Sequence, residues 1–103
     1  MAMKVFIAGP YSKPNPQVNV WSAISVADKL RHLGHTPFLP LLYHYWNEVH
    51  NHSYDYWMEM CLEWLETCDI VYRMQGKSEG ADTEVALAQS LGMRVVSSFE
   101  DIK

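Results

Sequence analysis

The chain has 103 residues, 49% hydrophobic and 19% charged, a balance that predicts one folded domain and excludes an intrinsically disordered segment. Its net charge of −4 argues against nucleic-acid polymers and anionic membranes as partners, yet leaves room for a nucleotide-sized anion held by local N–H groups. No apolar run approaches the roughly 20 residues of a membrane span, and no charged-then-apolar signal pattern opens the chain, so a cytoplasmic location is expected.

Residues 3–8 are a short apolar run closed by Gly9-Pro10, which predicts a buried central strand. Residues 11–16 hold Pro14 and Pro16 and read as a loop. Between residues 18 and 33, Val20, Ala23, Ile24, Ala27, Leu30 and Leu33 recur at helical spacing and predict a core-facing helix stopped by Gly34. A second strand is expected at 35–39, ended by Pro40. Residues 41–52 are rich in aromatic side chains and histidines without a clear period, and read as a loop or short helical turn.

Ser53 predicts the N-cap of a helix reaching residue 67. Trp57, Met60, Cys61, Trp64, Leu65 and Cys68 form its apolar stripe, with Glu59, Glu63 and Glu66 on the solvated side. Cys61 and Cys68 then lie roughly 10 Å apart along one helix, too far for a disulfide, so reduced thiols are expected. A third strand follows at 69–73, a third long helix at 80–91, a fourth strand at 93–97 and a single helical turn at 99–103.

Strands alternating with helices predict a single α/β domain over residues 1–103, with about four parallel strands and right-handed crossovers. The winding expected is a three-layer one of the flavodoxin or Rossmann kind. Ligands of such sheets bind beyond the carboxyl ends of the strands, near the topological switch point. Gly9-Pro10-Tyr11, after the first strand, and residues 78–84, after the third, fall on that edge.

Ser78-Glu79-Gly80-Ala81 is a small-residue turn entering a helix, where free N–H groups can hold a phosphate or carboxylate. Ser78 reads equally as an N-cap or as a hydroxyl for the anion. Gly80 fits either turn geometry or close approach of a ligand. Glu84 is expected in the first turn, either complementing the helix dipole or acting on the molecule the anion positions. Tyr11 reads as a site residue or as a loop side chain packed over proline. Asn19 reads as a polar residue of the first helix on the ligand edge, and Tyr43-His44-Tyr45-Trp46 as rings that stack on a base or cover the core. His44, His50 and His52 fit no zinc spacing, so no metal is expected.

Ile7-Ala8-Gly9-Pro10-Tyr11, the Cys68-Asp69 start of the third strand and Ser78-x-Gly80-Ala81-x-x-Glu84 resemble, in this order, the nucleoside 2-deoxyribosyltransferase superfamily. That group includes nucleoside and nucleotide N-glycosidases, and the resemblance spans nearly the whole chain. It implies Glu84 as the nucleophile at the anomeric carbon, Tyr11 beside it, and Ser78 at the 5′ end of the substrate. A serine there implies a nucleoside 5′-monophosphate, because an aspartate would repel the phosphate. Gly9, Pro10, Asn19, His44, Gly80 and Ala81 complete the implied substrate-binding set, with no cofactor.

One departure stands out. The run Cys61-Leu62-Glu63-Trp64-Leu65 has cysteine where the superfamily often has an aspartate that organises or protonates the leaving base. A thiol cannot make a carboxylate's hydrogen bonds, and the nearest acids in sequence are Asp55 and Glu59. The rival expectation is therefore a nucleotide-binding module without turnover. A receiver-like signalling domain is disfavoured, because no acidic cluster follows the first strand. Small size and 13% aromatic residues predict a homo-oligomer, a dimer by preference.

Overall fold

The computed structural model describes residues 2–102. Four strands, β1 (Lys4–Ala8), β2 (Thr36–Phe38), β3 (Ile70–Arg73) and β4 (Arg94–Val96), form one sheet in the order β2-β1-β3-β4. All three pairings are parallel, with Val5 opposite both Pro37 and Ile70, and Val71 opposite Val95. This is the expected α/β sheet of parallel strands.

Alternation along each strand divides the core between two faces. Val5, Ile7, Ile70, Tyr72 and Val96 point to one face, where Leu30 of α1 (Pro16–His32) and Ile102 of a terminal 3-10 turn (Phe99–Ile102) close over them. Phe6, Ala8 and Val71 point to the other, under Cys61 and Leu65 of α3 (Tyr54–Leu65) and Ala81 and Ala88 of α4 (Glu79–Ser90). Helices on both sides make three layers. The predicted turn at the C-terminus is present through Ile102; residue 103 lies outside the described residues.

Local chemistry sets the helix starts. The Asn15 side chain accepts from the Val18 N–H, and Pro16 takes the first helical position, where a missing N–H costs nothing. Pro16 thus opens α1 rather than ending the preceding loop. Ser53 caps α3 and Ser78 caps α4 in the same way.

Three readings of the core change. Ile24 and Leu33 are 40% and 49% exposed, because α1 is the one long helix on its face and buries only the stripe Val20, Ala23 and Leu30. Trp64 is half-exposed and covers the sheet edge by stacking on Phe38 of β2, ring centroids 5.0 Å apart. Residues 40–49 are helical throughout, a 3-10 turn (Pro40–Leu42) running into α2 (Tyr43–Val49). No residue of α2 is buried, so no apolar period marks it in the sequence.

Candidate functional site

A cavity of about 950 Å³ opens beyond the carboxyl ends of β1 and β3, the two central strands on either side of the point where the winding reverses. Its floor comes from the loops after these strands and from the start of α4. Its wall comes from α2 and α3.

Glu84 lies on the floor. Ala81, Glu84 and Ala88 are the buried residues of α4, at the 3-4 spacing of a core-facing stripe, so Glu84 occupies a position that packing would give to an apolar side chain. It stands in the second turn, not the first. The acids of the first turn, which complement the dipole, are Glu79 and Asp82. Glu84 is 6% exposed, lines the cavity and makes no side-chain hydrogen bond to another described residue. Burial pushes its carboxyl up to about 8, with the Arg73 guanidinium pulling the other way.

Cys61 lines the cavity from α3. Burial, and then the nearby Glu84 charge, push its thiol up to about 12, so it is neither a thiolate nucleophile nor a useful acid near neutral pH. Neither Asp55 nor Glu59 lines the cavity, so these acids do not take the place of the absent aspartate.

The two floor loops are locked together. Arg73 donates to the carbonyl oxygens of Met74 and Gly76, and to Asp82 Oδ1 at 3.1 Å. This curls residues 74–78 back onto the start of α4. Gly76 has φ +117°, and a Cβ there would come within 2.7 Å of Pro10 Cγ. A Cβ on Gly9 would meet Met74 Cβ at 2.9 Å. Gly9 lines the cavity, whereas Pro10 is buried behind it and serves packing rather than ligand contact.

Ser78 Oγ accepts the Ala81 N–H at 3.0 Å. That bond corrects one expectation: the Ala81 N–H is spent on the cap and is not free for an anion. The first-turn N–H groups of Glu79 and Gly80 have no intrahelical acceptor, and the Ser78 hydroxyl keeps its own proton to donate. Gly80 also lets α3 approach, since a Cβ there would lie 3.1 Å from both Tyr54 Oη and Met58 Cε.

Tyr11 and His44 both line the cavity and are joined, Oη to Nδ1, at 2.7 Å; His44 Nε2 is 3.5 Å from Glu48 Oε1. Tyr11 therefore engages α2 and makes no hydrogen bond to Glu84. Burial, and secondly the charge of Glu48, raise the Tyr11 phenol, so it stays neutral and able to donate. Asn19 does not reach the cavity. Its Nδ2 donates to the carbonyl oxygens of Tyr11 and Lys13 at 2.8 and 2.9 Å, stapling the loop that carries Tyr11.

Sequence reasoning missed several lining residues. Lys13 and Lys77 bring two cations to the cavity, each within two residues of a side chain singled out from the motifs, and Glu79 and Asp82 bring two carboxylates, the latter paired with Arg73. Asn47, Tyr54, Trp57 and Met58 form much of the wall. Among the described residues, no three His, Cys, Asp or Glu side chains gather closely enough to hold a metal ion, and no helix is long and apolar enough to cross a membrane.

Fold and cavity together define a parallel α/β domain with a ligand-sized pocket at its topological switch point. The sequence pattern of a domain family of unknown function, DUF4406, matches residues 3–97, and the chain belongs to that family. No curated protein matches it.

Proposed function

We propose that this protein cleaves or transfers the N-glycosidic bond of a nucleoside or nucleoside 5′-monophosphate, with Glu84 as the nucleophile. The observation that carries this reading is Glu84 itself, a carboxyl on the buried face of α4 that no structural hydrogen bond accounts for and that opens onto the cavity. Glycosyl transfer passes through an oxocarbenium-like state, which a carboxylate beneath the anomeric carbon stabilises or captures covalently. Positive charge developing on the sugar offsets the desolvation that holds the acid neutral, so the ionised form is favoured as the bond breaks.

The 5′ end of the substrate would meet Ser78, the N–H groups of Glu79 and Gly80, and the ammonium groups of Lys13 and Lys77. The base would lie against the α2–α3 wall. Water as acceptor gives hydrolysis, and a second base gives transfer. The chemistry asks for no cofactor.

A second reading, binding without turnover, is favoured by Cys61. Its protonated thiol stands where the resemblance puts a working aspartate, and neither Asp55 nor Glu59 lines the cavity in its place. One experiment separates the two: incubation with a panel of nucleosides and 5′-monophosphates, followed by chromatography for free base. Release by the wild type that falls roughly a thousandfold or more in Glu84→Gln supports the enzyme. Binding without release, converted to turnover by Cys61→Asp, supports the second reading. Absence of both binding and release across the panel defeats both.

A further inference from the structure

We infer that Asn47 selects the base, by showing the cavity a donor-only edge that favours an oxo group over an amino group at the position it meets. The inference rests on the nucleotide reading above and adds a substrate class to it.

Asn47 sits on α2, half-buried, and lines the cavity. Its Oδ1 accepts two hydrogen bonds, from the His52 backbone N–H at 2.9 Å and from the Trp57 indole Nε1–H at 2.8 Å. Both partners can only donate, so chemistry fixes which end of the amide is oxygen. Both lone pairs of that oxygen are occupied. The amino group, with two N–H donors, has no partner among the described residues and is not sealed from solvent. A flip would leave three donors facing one another around the old oxygen position.

The pin is itself held in place. Trp57 stacks on Tyr43, centroids 5.4 Å apart, and meets Trp46 and Tyr56 edge-on. The indole cannot swing away without breaking these contacts, so the amide is held from both sides. The cavity lining carries Pro40, Leu41 and Met58, which offer no side-chain hydrogen bond, beside the polar His44, His52 and Tyr54. A base edge that meets the Asn47 amino group must accept. An exocyclic amino group in that place sets donor against donor and leaves polar groups unpaired, the situation in which binding sites discriminate most strongly. The favoured class is 6-oxopurine or 4-oxopyrimidine nucleotides, over their 6-amino and 4-amino counterparts.

The test uses two pairs of 2′-deoxynucleoside 5′-monophosphates that differ at this group, hypoxanthine against adenine and uracil against cytosine. Dissociation constants are measured by calorimetry, and base release by chromatography. The wild type is expected to prefer the oxo member of at least one pair by roughly tenfold. Asn47→Asp keeps an oxygen for His52 and Trp57 but turns an acceptor toward the cavity, so the preference should invert. Its added negative charge weakens all four ligands alike and cancels from the ratio. Thermal unfolding and Trp fluorescence confirm that the variant keeps the wall. Equal binding within both pairs, an amino preference in the wild type, or an oxo preference unchanged in Asn47→Asp overturns the inference and leaves the N-glycosidase reading standing. Failure of all four nucleotides and of the four corresponding nucleosides to bind the wild type overturns both.

Discussion

The floor and the wall of the cavity are built by different physics. The floor is a backbone construction: two strand ends, Gly9 and Gly76 in contacts that a Cβ would spoil, and an Arg73 clamp on residues 74–82. Its key side chain, Glu84, is buried on a helix stripe between two alanines. The wall is a side-chain construction of rings. Tyr43, Trp46, Trp57, His52 and Tyr56 touch edge to face or stack, while Tyr45 and Trp46 are 41% and 42% exposed. A backbone construction fixes where a helix side chain stands, and a cluster of packed rings fixes which polar edges face the cavity. In the proposed reaction, chemistry falls to the first and recognition to the second.

The comparison breaks most visibly if Glu84 is not the strained group its burial implies. Its carboxyl is raised in the folded protein, from an ordinary 4.5 to about 8. Below pH 4.5 it is neutral folded and unfolded, and adds no penalty. Between 4.5 and 8 the unfolded chain gives up the proton and the folded one keeps it, so stability falls as pH rises and levels off above 8. The whole loss is on the order of a few kcal/mol. Glu84→Gln should flatten that slope and be more stable than wild type at pH 9, in urea unfolding at pH 5, 7 and 9. Parallel pH curves for the two proteins would mean that Glu84 is solvated. The proposed reaction runs the other way, since kcat/KM of an ionised nucleophile should climb with pH toward 8.

A smaller effect contrasts the two regions directly. Gly76→Ala puts a Cβ at a left-handed φ and against Pro10, at a cost of about 2 kcal/mol or more. For a chain of this size that lowers Tm by roughly 10 °C. Val49→Ala trims a side chain of α2, the helix that carries the wall, which is 76% exposed and lies outside the cavity lining, and should stay within about 0.5 kcal/mol of wild type. Comparable losses at the two positions, in one calorimetric series, would erase the distinction between floor and wall.

The same distinction explains what could be read from the chain beforehand. The succession of strands and helices along the chain, the two floor loops and the cap at Ser78 follow from local signals: apolar runs, glycine and proline punctuation, and a cap before a helix. Neighbours in sequence carry them. The burial of Glu84 was less legible, since its register on α4 depends on where the helix starts, and Ser78 as cap moved Glu84 into the second turn. The wall was hardest. The α2 helix buries no residue, so no period betrays it, and Asn47 owes its role to partners five and ten residues away. Asn19 is expected at the ligand and holds a loop instead, because a hydrogen bond to a loop and one to a ligand ask for the same residue type; Pro10 packs behind the floor against the Gly76 turn.

A further test of the wall removes one of its hydrogen-bond donors. Trp57→Phe deletes the indole Nε1–H and keeps an aromatic ring against Tyr43 and Trp46. Losing that bond from a half-buried network, with some ring contact, should cost about 1–2 kcal/mol. Asn47 Oδ1 then has only the His52 N–H to hold it. With one pin instead of two, the amide can turn its oxygen toward the cavity at little cost, so discrimination between oxo and amino bases should shrink toward unity while Glu84 chemistry on a bound substrate is unchanged. The kinetic signature is a change in relative KM between the members of a pair with kcat preserved. A fall in kcat would show that the ring cluster positions the reacting end of the substrate as well, and that floor and wall act as one unit.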